Sequence, residues 1–150
     1  MQSIKNNMLI FTVNLDPEPQ KKTRFKSVNG KHWAYDPTAT YISRLKWQIQ
    51  AYQSSELYMG PIEIDLTFFL PIPVGTSKVK RRLMNNGTIY HIKRPDQDNL
   101  AYPVVNAMKG IIYDDDSQVV SARYRKFYSD QPRIVVKVRD LVGQIFTPDC

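Results

Sequence analysis

The segment His91–Val120 constrains this chain more than any other, because it holds two groups of carboxylates on either side of an apolar stretch. Asp96 and Asp98 open it, and Asp114, Asp115 and Asp116 close it. Between them Leu100, Val104, Ala107 and Met108 recur at helical spacing, and Gly110 is a good helix stop. The connecting segment of about fifteen residues suits a helix that returns the chain to the same end of a sheet, where the second group would join the first. Pro103 sits awkwardly in it, since proline suits a first turn and breaks interiors. The regular helix is therefore expected only from near Tyr102, with Asp96–Leu100 a looser lead-in.

The rest of the chain supplies the sheet. Residues 8–14 (MLIFTVN) read as a strand closed off by Pro17 and Pro19. Residues 38–55 read as an amphipathic helix packed by Tyr41, Leu45, Ile49 and Tyr52. Trp47 lies off that stripe, and either widens the buried face or meets a partner. Ile62, Ile64, Leu66 and Phe68 alternate with polar residues through 62–70, a strand with one buried face that leaves Glu63 and Asp65 solvated on the other. Two more strands follow the acidic run, 118–127 and 133–139, joined by the Asp130-to-Pro132 turn. The tail, 140–150, has no clear element. The 150 residues suffice for one buried core, and no linker divides them. The expectation is a single domain over 1–150, with its core at about 8–140. Its order is β-α-β-α-β-β, an α/β fold with helices packed on a mixed sheet.

Two segments carry bases and no acid. Residues 20–35 hold Lys21, Lys22, Arg24, Lys26 and Lys31, interleaved with Phe25, Trp33 and Tyr35, and Asn29-Gly30 marks a turn. This is either a solvated hairpin or loop, or an arm that contacts phosphates and stacks on bases. Residues 75–95 hold Lys78, Lys80, Arg81, Arg82, Lys93 and Arg94, with a turn at Asn86-Gly87, and are expected to stay mobile until a polyanion neutralises them. Twenty-one Lys and Arg against fourteen acids, a net charge of +7, favour a polyanionic partner. No apolar run nears the roughly 18 residues of a membrane span, and the N-terminus lacks the apolar core and cleavage site of a signal peptide. The sole cysteine, Cys150, excludes an intramolecular disulfide and fits a reducing, cytoplasmic setting.

Carboxylates this dense repel one another unless solvent screens them or a cation is bound. Each group has a bland reading, Asp96 and Asp98 as helix caps and Asp114–Asp116 as a solvated turn. Together, behind an acid-free basic segment, they point to a hard divalent ion such as Mg²⁺, which takes carboxylate, water and phosphate oxygens. Zinc does not fit, because His32 and His91 are lone, read as surface groups, and the only cysteine is terminal. An EF-hand loop lacks its required acid, Gly and Glu. No activated serine or cysteine stands out.

Arg94-Pro95-Asp96-x-Asp98-Asn99-Leu100, followed by Gly110-x-x-Tyr113-x-Asp115-Asp116-Ser117-Gln118-Val119, resembles the signature of RusA-like Holliday junction resolvases. The likeness extends upstream through Arg24-Phe25, Tyr35-Asp36-Pro37 and the Phe68-to-Pro73 strand end, and downstream to Lys126. It implies a RusA-like fold, a homodimer, and a bacterial or phage-infected cell as the setting. It also implies cleavage of four-way DNA junctions by paired nicks that depends on Mg²⁺, with Mn²⁺ substituting. The family's essential acids fall on Asp96, Asp98 and Asp116, with Asp115 beside them. Where the family usually has a lysine, one turn after the second acid, this chain has Tyr102; Lys109, Lys93, Arg94 and Lys126 are the substitute cations. The rivals are a junction-binding protein without turnover and a general flap or single-strand nuclease.

Overall fold

Strict alternation makes Ile62–Pro71 the centre of the molecule: Ile62, Ile64, Leu66 and Phe68 are fully buried on one side. Among residues 8–144, which the computed structural model describes, this strand (β4) lies inside a four-stranded sheet. Cys150 and the first seven residues lie outside that range. The other strands are β1 (Met8–Val13), β5 (Val119–Ser129) and β6 (Arg133–Asp140), in the order β1-β6-β4-β5. β4 runs parallel to β5 and antiparallel to β6, so the sheet is mixed. The turn at 130–132 therefore carries the chain across the end of β4, and β5 is left as an edge strand.

Helices α1 (Ala39–Ile49) and α3 (Gln97–Met108) cover one face of the sheet and touch each other. Tyr41, Leu45 and Ile49 turn inward from α1, and Leu100, Val104, Ala107 and Met108 from α3, as their spacing predicts. Tyr52, continuing α1 as a short 3-10 turn, stacks on Phe11 at 4.7 Å. Trp47 is 79% exposed and does not widen the buried face. Among the described residues, no helix is long and apolar enough to cross a membrane.

The sequence order expected above is present as a frame, with two additions. A separate hairpin, β2 (Arg24–Val28) with β3 (Lys31–Tyr35), turns through Asn29 and Gly30, whose φ of 52° and 76° give both the left-handed backbone of a tight hairpin turn. A further helix, α2 (Lys78–Asn85), occupies the basic stretch expected to be mobile. Like charges are tolerated there because no residue of α2 is buried, so each cation stays in water. The helix is held at its ends: Ser77 caps the Lys80 amide, and Arg81 and Asn85 bind Asp130 in the β5–β6 turn.

Regular helix in α3 begins at Gln97, not near Tyr102. Pro103 is accommodated inside it, and the reason is visible in the backbone. Proline has no N–H to give the carbonyl four residues earlier. That carbonyl, Asn99 O, accepts the backbone N–H of Gln20 at 2.8 Å instead.

Candidate functional site

Asp96 occupies the N-cap position of α3, and Asp98 lies in its first turn. Both are exposed. Asp96 makes no side-chain capping bond, while Asp98 accepts only its neighbour's amide, Asn99 N, at 2.9 Å. Capping therefore does not use up the Asp96 carboxylate. The peptide leading into Asp96 is fixed from behind by Lys126, whose Nζ donates to Lys93 O at 2.6 Å and Pro95 O at 2.9 Å. Lys126 thus acts on the loop that presents the acids, and α3 points its amide-rich, partly positive end at whatever binds there.

Three basic segments are anchored near this end of α3. Lys93 and Arg94 are exposed on the loop just before Asp96. α2, with Lys78, Lys80, Arg81 and Arg82, is tied to the nearby end of β5 through Asp130. The root of the hairpin reaches the same place, because Gln20 bonds to Asn99 and Lys21 N to Thr38 Oγ1 at 2.9 Å. Along the hairpin, the register puts Arg24, Lys26 and Lys31 on one face with Trp33 and Tyr35, and Lys26 lies 4.9 Å from the Tyr35 ring. Lys22 is exposed beside them, and Phe25, on the opposite face, is 77% exposed.

The second acidic group is elsewhere. Lys109, at the other end of α3, pairs with Asp115 at 2.9 Å. Asp115 also accepts from Ser117 Oγ and closes a reciprocal capping box with Gln118, whose side chain anchors to Tyr58 O and Gly60 O. Hydrogen bonds from Ser117 and Lys109 hold the Asp115 carboxyl well below the usual carboxylate range. The same bond, with the charges of Asp115, Asp116 and Asp114, raises Lys109 above the ordinary lysine value. Asp116 is exposed at the start of this turn, and Asp114 is exposed before it. The twelve residues of α3 span about 18 Å and separate the turn that holds Asp116 from Asp96 and Asp98. β5 agrees, since Val119 to Lys126 is about 23 Å of extended chain. The helix carries the chain to the opposite end of the sheet rather than back to the same one. Among the described residues, no three His, Cys, Asp or Glu side chains of one chain gather closely enough to share an ion.

Two features escaped the sequence reading. His91 is buried, 8% exposed, with its ring 4.6 Å from Tyr128 and Nδ1 without a hydrogen-bond partner. Burial, then the charges of Lys126 and Lys93, hold its pKa below 6.5. On the sheet face away from the helices, Glu63 and Asp65 are ion-paired instead of merely solvated. Asp65 binds Arg123 and Arg125, and Glu63 binds Arg139. Partial burial would raise the Asp65 carboxyl, but these arginine hydrogen bonds outweigh it and hold the group below its usual range. Alternate-position charges in 121–127 and 133–139 were the available signal.

A family model described as endodeoxyribonuclease RusA matches residues 14–139. A Bacillus subtilis (strain 168) protein described as "Uncharacterized protein YqaN" is 33% identical over 138 residues, which cover 87% of this chain and 95% of that relative. The chain belongs to the RusA endodeoxyribonuclease family.

Proposed function

We propose that the protein is a metal-dependent endodeoxyribonuclease that resolves four-way DNA junctions as a homodimer. The observation that carries this reading is the end of α3, where two exposed carboxylates, one of them free of capping, stand among three basic segments. Lys78, Lys80, Arg82, Lys93, Arg94 and the hairpin cations would hold backbone phosphates flanking the cut. Trp33 and Tyr35 offer rings for unpaired bases at a branch point. Asp96 and Asp98 suit Mg²⁺ or Mn²⁺, which often take one or two carboxylates and fill the rest of their shell with water and phosphate oxygen. Such an ion, when bound, supplies positive charge at the scissile phosphate and a more acidic water. Lys126 keeps the Pro95 carbonyl, and hence the start of α3, in a fixed place. Within one chain Asp116 does not join the pair, so no role in the chemistry is assigned to it from a single subunit.

The test compares four-way junction, flap and linear duplex in Mg²⁺, with wild type and Asp98→Asn. Loss of a ligand carboxylate removes several kcal/mol of stabilisation, so the variant is expected to cut the junction at least ~10²-fold more slowly. Its binding to the junction should be retained. Binding without cutting by the wild type, or preferential cutting of the flap, would overturn the proposal.

A further inference from the structure

We propose that the aromatic hollow between α2 and the end of β5 holds one unpaired nucleobase, from the same strand whose phosphates lie along α2. The inference rests on the junction-cutting reading above, and gives that reading a site for a base apart from the one for metal and backbone.

The hollow has about 280 Å³ of open space. That lies just below the range of cavities that take drug-sized ligands, and it suits a single planar ring system. Parallel pairing sets Phe69 of β4 beside Phe127 of β5 on the face of the sheet away from the helices, and Met84 and Asn86, at the C-terminal end of α2, form the opposite wall. Tyr128 lines the hollow too, and is backed by the His91 ring at 4.6 Å. Tyr90 stands at the rim, 65% exposed. The centroids of Phe69 and Phe127 are 5.9 Å apart, and those of Tyr90 and Phe127 6.5 Å. Both spacings fall in the loose half of the range for paired rings, about 4.5–7 Å, so ring surface stays open to a ligand.

The charges nearby favour a base over an apolar side chain of a protein. Residues 75–95 contain no acid, and Lys78, Lys80 and Arg82 make no ion pair among the described residues. Arg133 lies over the Phe69 ring at 3.8 Å, and Asp130 in the adjoining turn is already bound by Arg81 and Asn85. A base arrives with phosphates that match these cations, whereas an apolar peptide leaves them unmatched. Asn86 adds a polar contact. Its Oδ1 accepts the Thr88 amide at 2.9 Å, and its Nδ2 has no acceptor among the described residues. Bases carry ring-nitrogen and carbonyl acceptors that this group can serve.

The hollow is also tied to the acids. Lys126, which holds the Lys93 and Pro95 carbonyls, immediately precedes Phe127, so one strand fixes both places. Tyr90 and Asp96 are six residues apart in sequence, at most about 21 Å of chain. That is about six steps of a DNA strand at about 3.4 Å each, so the base comes from within about six nucleotides of the phosphate at the start of α3.

The test is a double-mutant cycle between rings and base. Four-way junctions of fixed sequence, each with one abasic nucleotide at a successive position along one strand through the branch point, are titrated in EDTA against wild type, Tyr90→Ala and Phe127→Leu. At one position the missing base should weaken wild-type binding by about 5–150-fold. At that position each variant should bind the abasic and the intact junction alike. The salt slope of both variants should match wild type, because the cations remain; a fold disturbed by the substitution would not confine its effect to one nucleotide. An abasic penalty at no position, or one as large in the variants as in wild type, would overturn the proposal. If that same wild type cuts the junction in Mg²⁺, the functional reading survives. A wild type that shows the coupling but cuts no branched DNA sinks only the functional reading, and one that binds no junction sinks both.

Discussion

The acids of this chain differ in what they do because their surroundings differ. Asp115 is committed to the fold: Ser117, Gln118 and Lys109 all hold it, and a group so engaged has little left for a ligand. Asp96 has the position of a cap without the side-chain bond of one, which leaves its carboxylate oxygens available. His91 makes stability depend on pH just below neutrality. Its folded pKa lies below the unfolded 6.5, because burial and then Lys126 and Lys93 disfavour the charged ring. The unfolded chain therefore takes up its proton first on acidification. The His91 contribution is fully present above about pH 6.5 and is lost as pH falls through the lower folded value. His91→Phe keeps a ring against Tyr128 and removes the titration. Calorimetric Tm values between about pH 7 and 5 should fall less steeply for the variant than for wild type, and parallel curves would refute the assignment.

At the scale of elements, the hairpin separates two contributions that lie on one of its faces. On the proposed reading its cations would act through phosphates and its rings through stacking. Lys26→Ala should reduce the slope of log affinity against log salt by about 0.9, or about 0.7 if the contact is to a single strand. Trp33→Ala should weaken binding to a junction or single strand by about 1–3 kcal/mol and leave that slope alone. A titration series from low to high salt distinguishes them. Elements with strong periodicity were legible from the residues alone: β4 through Ile62, Ile64, Leu66 and Phe68, α1 through Tyr41, Leu45 and Ile49, and the hairpin turn through Asn29-Gly30. α2 was not, because its like charges argue against a packed helix, and what anchors it, Asp130, lies far along the chain. The start of α3 was misjudged for a similar reason, since the group that satisfies Asn99 O comes from Gln20. Both acidic groups were legible as residues. Their separation was not, because it follows from the direction in which α3 crosses the sheet.

At the scale of the whole molecule, the net charge of +7 is not spread evenly in its use. On the open face of the sheet, Arg123, Arg125 and Arg139 are taken up by Asp65 and Glu63, whereas Lys78, Lys80 and Arg82 of α2 make no ion pair among the described residues. Replacing those three α2 cations by alanine should reduce the salt slope of junction binding by up to about 2.7 on duplex arms. Arg123→Ala should leave the slope nearly unchanged, and equal effects would move the DNA to the open face. The bond from Gln20 to Asn99 has a consequence of its own. It joins the root of the basic arm to the turn that carries Asp98, and it exists where Pro103 withholds an amide. An alanine at 103 would bring a competing amide for that oxygen, so the seating of a segment far upstream depends on a proline within α3. The hydrogen that proline lacks is what leaves a place for the root of the arm at Asn99.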